Sequence, residues 1–173
     1  MAYIIAIVCS ALILIADQVS KYLIVANFQY GESKTIIDGL LNFDYIHNRG
    51  AAFGILQSQT WILLGITVLV MIICIGMLIK KTFDSKLMFW AILFVLAGGT
   101  GNMIDRIFRG GNVVDFLEFG FIRFPIFNIA DCSVVIGASL IILYFIIDFI
   151  ADVKGKKSPK INLIDSEESE VNE

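Results

Sequence analysis

The chain has 173 residues, of which 58% are hydrophobic and 17% charged, and its formal net charge is -3. The apolar fraction exceeds that of an average soluble domain, and the apolar residues fall in long blocks, which indicates an integral membrane protein. Six of the 16 acidic residues lie at or beyond Asp152, and no basic patch elsewhere favours nucleic acid as a partner.

The first apolar block predicts a transmembrane helix at about 3–26. A cleavable signal peptide is the alternative, but the segment before the block is only Met-Ala-Tyr, without the basic residues that begin such a peptide. The block also runs directly into Asp17, Gln18 and Lys21. Asp17 and Lys21 are four residues apart and therefore share a helical face. The simplest interpretation is a structural ion pair in which Lys21 extends toward water while Gln18 faces elsewhere.

Residues 27–58 are mixed in polarity and predict short strands at the membrane surface, near 34–37 and 41–46. Asn48 and Gly50 follow, in the segment Asn-Arg-Gly-Ala-Ala-Phe-Gly. The small residues of this segment permit close backbone approach. A plain turn into the second span is the alternative interpretation.

Three further blocks predict spans at about 59–79, 87–107 and 131–151. Residues 1–152 would then form one four-span membrane domain. The remaining segment, 153–173, is charged and has no apolar face to bury, which predicts a disordered tail.

The basic residues predict the orientation of these spans. Seven of the 13 lie between spans two and three or after span four. Because short cytoplasmic loops are enriched in Lys and Arg, this side is expected to be cytoplasmic, with both chain termini. Segments 27–58 and 108–130 would then lie together on the extracytoplasmic side.

A polar cluster ends the third span. Asn102, Asp105 and Arg106 have i,i+3 and i,i+4 spacings, which bring their side chains to one patch of a helix. The glycines just before them, Gly98 to Gly101, favour close packing between membrane helices. Arg106 could hold a carboxylate or a lipid headgroup.

Two further aspartates flank the last extracytoplasmic segment. Asp115 follows two valines, and Asp131 begins the fourth span three residues after Asn128. Asn128 as a helix cap, with Asp131 complementing the helix dipole, accounts for Asp131 alone. It does not explain Asp115, which is expected on the same outer face. Two carboxylates in a low-dielectric site do not both ionise readily, and such a pair can activate water for attack on an amide.

The residues by themselves leave three functions open. Hydrolysis by the aspartate pair and proton or cation transport through intramembrane aspartates are equally supported, and a non-enzymatic scaffold is the third possibility. The sequence has no H-E-x-x-H or G-x-S-x-G motif, and its single His and three scattered Cys predict no metal site and no cofactor.

Five sequence blocks together resemble the bacterial lipoprotein signal peptidases, or signal peptidase II. They are Asp17-Gln18-x-x-Lys21, Asn48-x-Gly50-Ala51-Ala52-Phe53-Gly54, Gly98-x-x-Gly101-Asn102-x-x-Asp105-Arg106, Val113-Val114-Asp115-Phe116 and Phe127-Asn128-x-Ala130-Asp131. The resemblance covers residues from about 10 to 150, in the family's order. Each block alone would be a weak signal, whereas five in register are specific.

The resemblance implies an all-α membrane bundle of four transmembrane helices with a small extracytoplasmic β-cradle. It implies an aspartic endopeptidase that removes the signal peptide of a prolipoprotein just before a diacylglyceryl-Cys, at the lipobox. The catalytic pair would be Asp115 and Asp131. The residues implied to line, brace or support the site are Asn48, Gly50, Asn102, Arg106, Asn128, Asp17 and Lys21. Membrane phospholipid is the other expected partner, a monomer is expected, and part of 107–130 would be a movable segment over the site.

Overall fold

The structure, a computed structural model, describes residues 2–51 and 55–155. The helices are α1 (Ala2–Asn27), α2 (Thr60–Ile79), α3 (Lys86–Phe108) and α4 (Ile129–Val153), and the strands are β1 (Ser33–Ile37), β2 (Leu41–Asn48) and β3 (Val113–Phe119). The predicted tail beyond Gly155 lies outside the described residues, as do 52–54.

The four helices confirm the predicted membrane architecture. Each has 20 to 26 residues, and at 1.5 Å per residue the shortest spans about 30 Å, the thickness of a bilayer's hydrocarbon core. All four are apolar enough to cross a membrane. Their outward faces carry exposed large hydrophobic side chains, among them Ile4, Ile72 and Phe149. The sequence-based bounds differ from the observed helices by at most two residues at each end.

The strands form one antiparallel sheet in the order β1-β2-β3. The sequence predicted the first two strands, but it marked residues 113 onward only as an extended segment. In the structure β3 pairs with β2, and Asp115 lies opposite Ile46. Val114 and Phe116 pack in an apolar cluster with Ile24 at the end of α1. Because side chains alternate along a strand, Asp115 points to the other face.

Helix α3 lies at the centre of the bundle and contacts α1, α2 and α4. Glycines allow its close approach to α4. A Cβ atom on Gly98 would lie 2.7 Å from Val134 Cγ2, and one on Gly137 would lie 2.7 Å from the carbonyl oxygen of Ala91. The predicted packing by small residues is therefore present, and it brings the last turns of α3 against the start of α4.

Candidate active site

Asp115 and Asp131 are joined through one residue, Asn128. Its side-chain Nδ2 donates to Asp115 Oδ1 at 2.6 Å, while its backbone N–H donates to Asp131 Oδ2 at 3.1 Å. Asn128 is completely buried and Asp115 is 1% exposed, whereas Asp131 is partly exposed. The two carboxylates therefore share a site that is open from the Asp131 side.

The start of α4 fixes Asp131 by local structure. Asn128 is the N-cap, and its Oδ1 accepts a hydrogen bond from Asp131 N at 3.0 Å. The Asp131 side chain in turn accepts a hydrogen bond from the backbone N–H of Asn128, which completes a reciprocal capping box. The capping role considered for Asn128 is confirmed. It coexists with the contact to Asp115, so a single side chain both caps the helix and reaches the other carboxylate.

Two further amides hold the remaining carboxylate oxygens. Asn48, at the end of β2, donates from Nδ2 to Asp115 Oδ2 at 2.9 Å. Asn102, on α3, donates from Nδ2 to Asp131 Oδ1 at 2.7 Å. All four oxygens of the pair thus accept a hydrogen bond from an asparagine. This arrangement fixes both carboxylates without neutralising them.

Lys21 lies below the pair in a buried cluster of charges. Its Nζ lies 2.9 Å from Asp17 Oδ2 and 3.1 Å from Asp105 Oδ2, and it donates to Asn102 Oδ1 at 3.0 Å. Lysine has three donors and no acceptor. The amide of Asn102 must therefore turn its oxygen to Lys21 and its nitrogen to Asp131.

Asp17 and Asp105 connect this cluster to the backbone beside the pair. Asp17 Oδ1 accepts from the N–H of Ala130 at 2.8 Å, and Asp105 Oδ2 accepts from the N–H of Val114 at 3.1 Å. Ala130 directly precedes Asp131, and Val114 directly precedes Asp115. One buried cluster therefore sets the position of the chain at both members of the pair.

Two interpretations of α1 were wrong. Lys21 does not extend toward water, because its side chain is completely buried and forms ion pairs with Asp17 and Asp105 at the interface of α1 and α3. Gln18 does not face elsewhere, since its Nε2 donates to Asp17 Oδ2 at 3.0 Å and to the carbonyl of Gly101 at 3.2 Å. Periodicity identified the Asp17–Lys21 pair but could not show that α3 supplies the second carboxylate.

Sequence reasoning also missed Arg109. Its Nε donates to Asp105 Oδ1 at 3.2 Å, so Asp105 pairs with Arg109 and Lys21 and not with the adjacent Arg106. The i,i+4 spacing from Asp105 was a signal that could have identified Arg109. Asp105 was expected only as part of a polar patch, and the structure shows that it belongs to the supporting cluster.

The electrostatic environment of Asp115 favours its protonated form. Burial and, next in size, the neighbouring Asp131 carboxylate raise the pKa of this carboxyl, while the hydrogen bonds from Asn48 and Asn128 and the charge of Lys21 lower it; the net result is a rise from 3.8 to about 7. A carboxyl with a pKa near neutrality can hold or release a proton under physiological conditions.

Arg106 and Gly50 form the rim of the site. Arg106 Nη2 donates to the carbonyl oxygen of Gly50 at 3.0 Å, and the backbone N–H of Gly50 donates to Asn48 Oδ1 at 2.8 Å. The buried Nε of Arg106 has no hydrogen-bond partner among the described residues. This Nε is thus an unused donor on a guanidinium that interacts with the charges of Asp131 and Asp115. The structure brings all nine sequence-predicted site residues into one connected region.

The substitution Gly101→Ala should disturb the site through packing. The new Cβ would lie 2.6 Å from Asp17 Oδ2 and 3.1 Å from Ala130 Cβ. We expect the free energy of unfolding to fall by about 1–3 kcal/mol, measured by denaturation in detergent. Gly99→Ala is the matched control, because its Cβ would meet Thr67 Cγ2 at an ordinary 3.8 Å. Equal stability of the two variants would contradict the described packing around Asp17.

Comparison with known proteins gives consistent matches over most of the chain. A family profile described as Signal peptidase (SPase) II matches residues 9–147. The lipoprotein signal peptidase of Enterococcus faecalis is 44% identical over 147 residues, covering 85% of this chain and 91% of the relative. That of Brevibacillus brevis is 42% identical over 139 residues, covering 80% and 93%.

Two solved structures are also similar, both described as bacterial membrane enzymes. One has a TM-score of 0.78 and 37% identity, covering 90% of this chain and 93% of the other. The second has a TM-score of 0.75 and 38% identity, covering 83% and 93%. At this identity and coverage the similarity extends over most of the chain.

Proposed function

This chain belongs to the signal peptidase II family, the lipoprotein signal peptidases, and we propose that it is an aspartic endopeptidase whose catalytic pair is Asp115 and Asp131. It is a membrane protein and a protease by family. The substrate we propose is a prolipoprotein with a diacylglyceryl-Cys, cleaved on the N-terminal side of that residue by the enzyme as a monomer. The alternative of a proton- or cation-coupled transporter has no support among the relatives.

One observation carries the proposal, the bridge that Asn128 makes between the two carboxylates. It bonds Asp115 with its side chain and Asp131 with its backbone. When two carboxylates are both hydrogen-bonded to one residue, they lie near each other, and the favoured state is one in which they share a single proton. Such a pair supplies a base and an acid at the same site.

The chemistry proceeds in two stages, the attack of water and the collapse of the intermediate, and the pair transfers protons in both. The ionised carboxylate removes a proton from a water molecule as the water oxygen attacks the carbonyl carbon of the scissile peptide. The protonated carboxyl donates to the carbonyl oxygen, giving a neutral tetrahedral intermediate. When that intermediate collapses, the carboxyl that took the water proton donates it to the leaving nitrogen, the C–N bond breaks, and the other carboxylate takes a proton from a hydroxyl group of the intermediate, so that the pair again holds one proton. The products are the signal peptide with a free carboxyl group and the lipidated chain with a free amino group.

Arg106, at the rim of the site, and the outer faces of two helices are suited to holding the substrate. The unpartnered Nε of Arg106 costs free energy while it is buried without an acceptor, about 1–3 kcal/mol. A peptide carbonyl of the bound signal sequence would offset that cost. The apolar outer faces of α1 and α4 let the acyl chains of the substrate remain in lipid.

We further propose that the pair lies at the extracytoplasmic boundary of the membrane. The end of α2 and the start of α3 are joined by a short loop with Lys80 and Lys81, and Lys86 is the first residue of α3; this is the end of the bundle opposite Asp131. The positive-inside rule assigns that loop and both termini to the cytoplasm. Cysteine scanning with a membrane-impermeant thiol reagent, in a cysteine-free background with single cysteines at Lys34 or Lys80, tests this orientation. Labelling of the Lys80 position in intact cells would contradict it.

A cleavage assay tests the proposed activity. The purified protein in detergent is incubated with a lipobox peptide that carries diacylglyceryl-Cys, and the products are identified by mass. We expect cleavage directly before the Cys, unaffected by EDTA, and a rate at least about tenfold lower for the same peptide without the acyl chains, because remote binding energy contributes to the rate.

The assay distinguishes the alternatives for function. Loss of cleavage with EDTA and its return with a divalent metal would contradict an aspartic mechanism. Cleavage elsewhere in the peptide would contradict the proposed specificity. No cleavage by a folded protein, together with ion flux in vesicles, would support transport.

The pH dependence of cleavage should report the shared proton. The pKa of Asp115 is raised to about 7, so its proton is present below that pH and is lost as the pH rises through it. We therefore expect kcat/KM to fall on the alkaline side with an apparent pKa near 7. Asn48 stabilises the ionised form by a hydrogen bond. Asn48→Ala should then move the alkaline limb upward by about one pH unit.

Asn42→Ala is the matched control for that shift. Asn42 lies on the same strand but donates to Glu118 Oε2 at 3.0 Å, away from the pair. Its alkaline limb should stay at the wild-type position. An unchanged limb in Asn48→Ala, or a rate independent of pH between 5 and 9, would count against a shared proton.

A further inference from the structure

A cavity lies at the opposite end of the bundle from the aspartate pair. It has a volume of about 550 Å³ and opens where α1 and α3 begin and α2 ends. Met88, which lines it, is 14 residues before Asn102, or roughly 20 Å along the axis of α3. The cavity is therefore separate from the proposed active site.

The walls of this cavity are apolar and its mouth is charged. Side chains that form the walls are Tyr3, Met77, Phe83, Met88, Phe89 and Ile92. The ring of Tyr3 packs edge-on against that of Phe89, with centroids 4.6 Å apart. Lys81 lines the mouth together with Asp84 and Ser85. An apolar wall beneath a polar mouth matches the order of acyl chain and headgroup in a phospholipid.

The residues at the mouth carry a net positive charge. Lys80, Lys81 and Lys86 are exposed, Asp84 is the one carboxylate among the residues that line the cavity, and none of the three lysines forms an ion pair with a described residue. The N-terminus of α3, capped by Ser85 and without an acidic residue in its first turn, adds the partial positive charge of the helix dipole. These features are complementary to a phosphate group.

The backbone of Lys81 gives an independent reason to assign a role to its side chain. Lys81 N donates to the carbonyl of Leu78 at 3.3 Å, and Thr82 N donates to that of Met77 at 3.1 Å. This is the Schellman pattern that ends a helix, and Lys81 occupies its left-handed position with φ 49°. Glycine is favoured there because a side chain is strained in this conformation. Lysine at this position is disfavoured by the local backbone.

We propose that this cavity binds one anionic phospholipid, with the phosphate at Lys81 and the N-terminus of α3 and an acyl chain along the wall of Phe89 and Ile92. The membrane helix α2 ends here and α3 begins here, so the mouth of the cavity lies at the level of the lipid headgroups. Basic pockets between membrane helices are known to suit such headgroups. This inference is independent of the proposed peptidase activity.

Native mass spectrometry of the purified protein tests the proposal, with phosphatidylglycerol as the probe and phosphatidylcholine of the same acyl chains as the comparison. We expect selective retention of phosphatidylglycerol and no binding of soluble glycerol phosphate. Lys81→Gly should weaken phosphatidylglycerol binding about fivefold, the effect of one lysine at a lipid surface. The same variant without lipid should unfold at or above the wild-type temperature, because glycine relieves the left-handed backbone.

The control variant is Lys34→Gln, which removes an exposed lysine from β1 at the other end of the bundle and should leave lipid binding unchanged. Equal retention of the two lipids, or wild-type affinity in Lys81→Gly, would overturn the proposal. Binding of glycerol phosphate as tight as that of the lipid would replace the lipid with a soluble anion. A lower unfolding temperature of Lys81→Gly in the absence of lipid would assign the lysine to the fold alone.

Discussion

Replacing either Asp115 or Asp131 by asparagine should reduce cleavage of the diacylated peptide by about 10²- to 10⁴-fold, the range of general acid–base catalysis. Asparagine has nearly the shape of aspartate but neither takes nor gives the proton. In each variant the remaining carboxylate can carry out only one of the two proton transfers that accompany the attack of water. The measurement is kcat from single-turnover cleavage of saturating peptide, so that substrate binding does not enter.

The same variants should remain folded. Asn128 and Asn102 still cap and brace α4 in Asp115→Asn, and removing one of two neighbouring carboxylates relieves their repulsion. Because asparagine offers one acceptor oxygen where aspartate has two, one hydrogen bond is lost as the repulsion is relieved, and we expect unfolding temperatures in detergent within about 4 °C of that of the wild type. Asp38→Asn, at an exposed turn between β1 and β2, is the control and should cleave at the wild-type rate. Turnover near wild type in either Asp115→Asn or Asp131→Asn would show that the assignment is wrong.

Replacing Lys21 by methionine should destabilise the protein by about 3–5 kcal/mol, the cost of leaving a buried charge without its partner. Methionine retains most of the side-chain volume, so the change isolates the charge. Asp17 and Asp105 would then face each other, at 1% and 0% exposure, without the ammonium between them. The free energy of unfolding in detergent is the measurement.

Turnover of the folded fraction of Lys21→Met should also fall, by about 10²-fold, because the backbone at Ala130 and Val114 and the amide of Asn102 lose their common anchor. Lys34→Met, on the exposed strand β1, is the control and should change neither quantity. Lys21→Arg keeps the charge in a larger group and should recover more stability than methionine does. Wild-type stability and turnover in Lys21→Met would contradict the anchoring role.

The sequence predicted the four spans closely because each is a long apolar block, and membrane burial makes such blocks conspicuous. It predicted the Asp17–Lys21 pair because helical spacing is a local property. The partner of that pair, Asp105, lies more than 80 residues away on α3, so no local rule could identify it. The same limit explains why Lys21 was expected to reach water and why Gln18 was dismissed.

Around the aspartate pair too, the sequence predicted the local features but not the contacts between distant segments. The N-cap role of Asn128 followed from its position before an apolar block, but its second bond, to Asp115, depends on the pairing of β3 with β2. Strand pairing is a non-local choice that a single extended segment does not specify. The five-block resemblance supplied the grouping that periodicity could not. The movable segment within 107–130 stays a prediction.

The most direct measurement of the central claim is single-turnover cleavage by Asp115→Asn, Asp131→Asn and the double variant at one pH. If the two carboxylates act as one unit, each single substitution removes the unit, and the double variant retains the same residual rate as either single variant. Losses that multiply in the double variant would mean that Asp115 and Asp131 act separately, and the proposed pair would be contradicted.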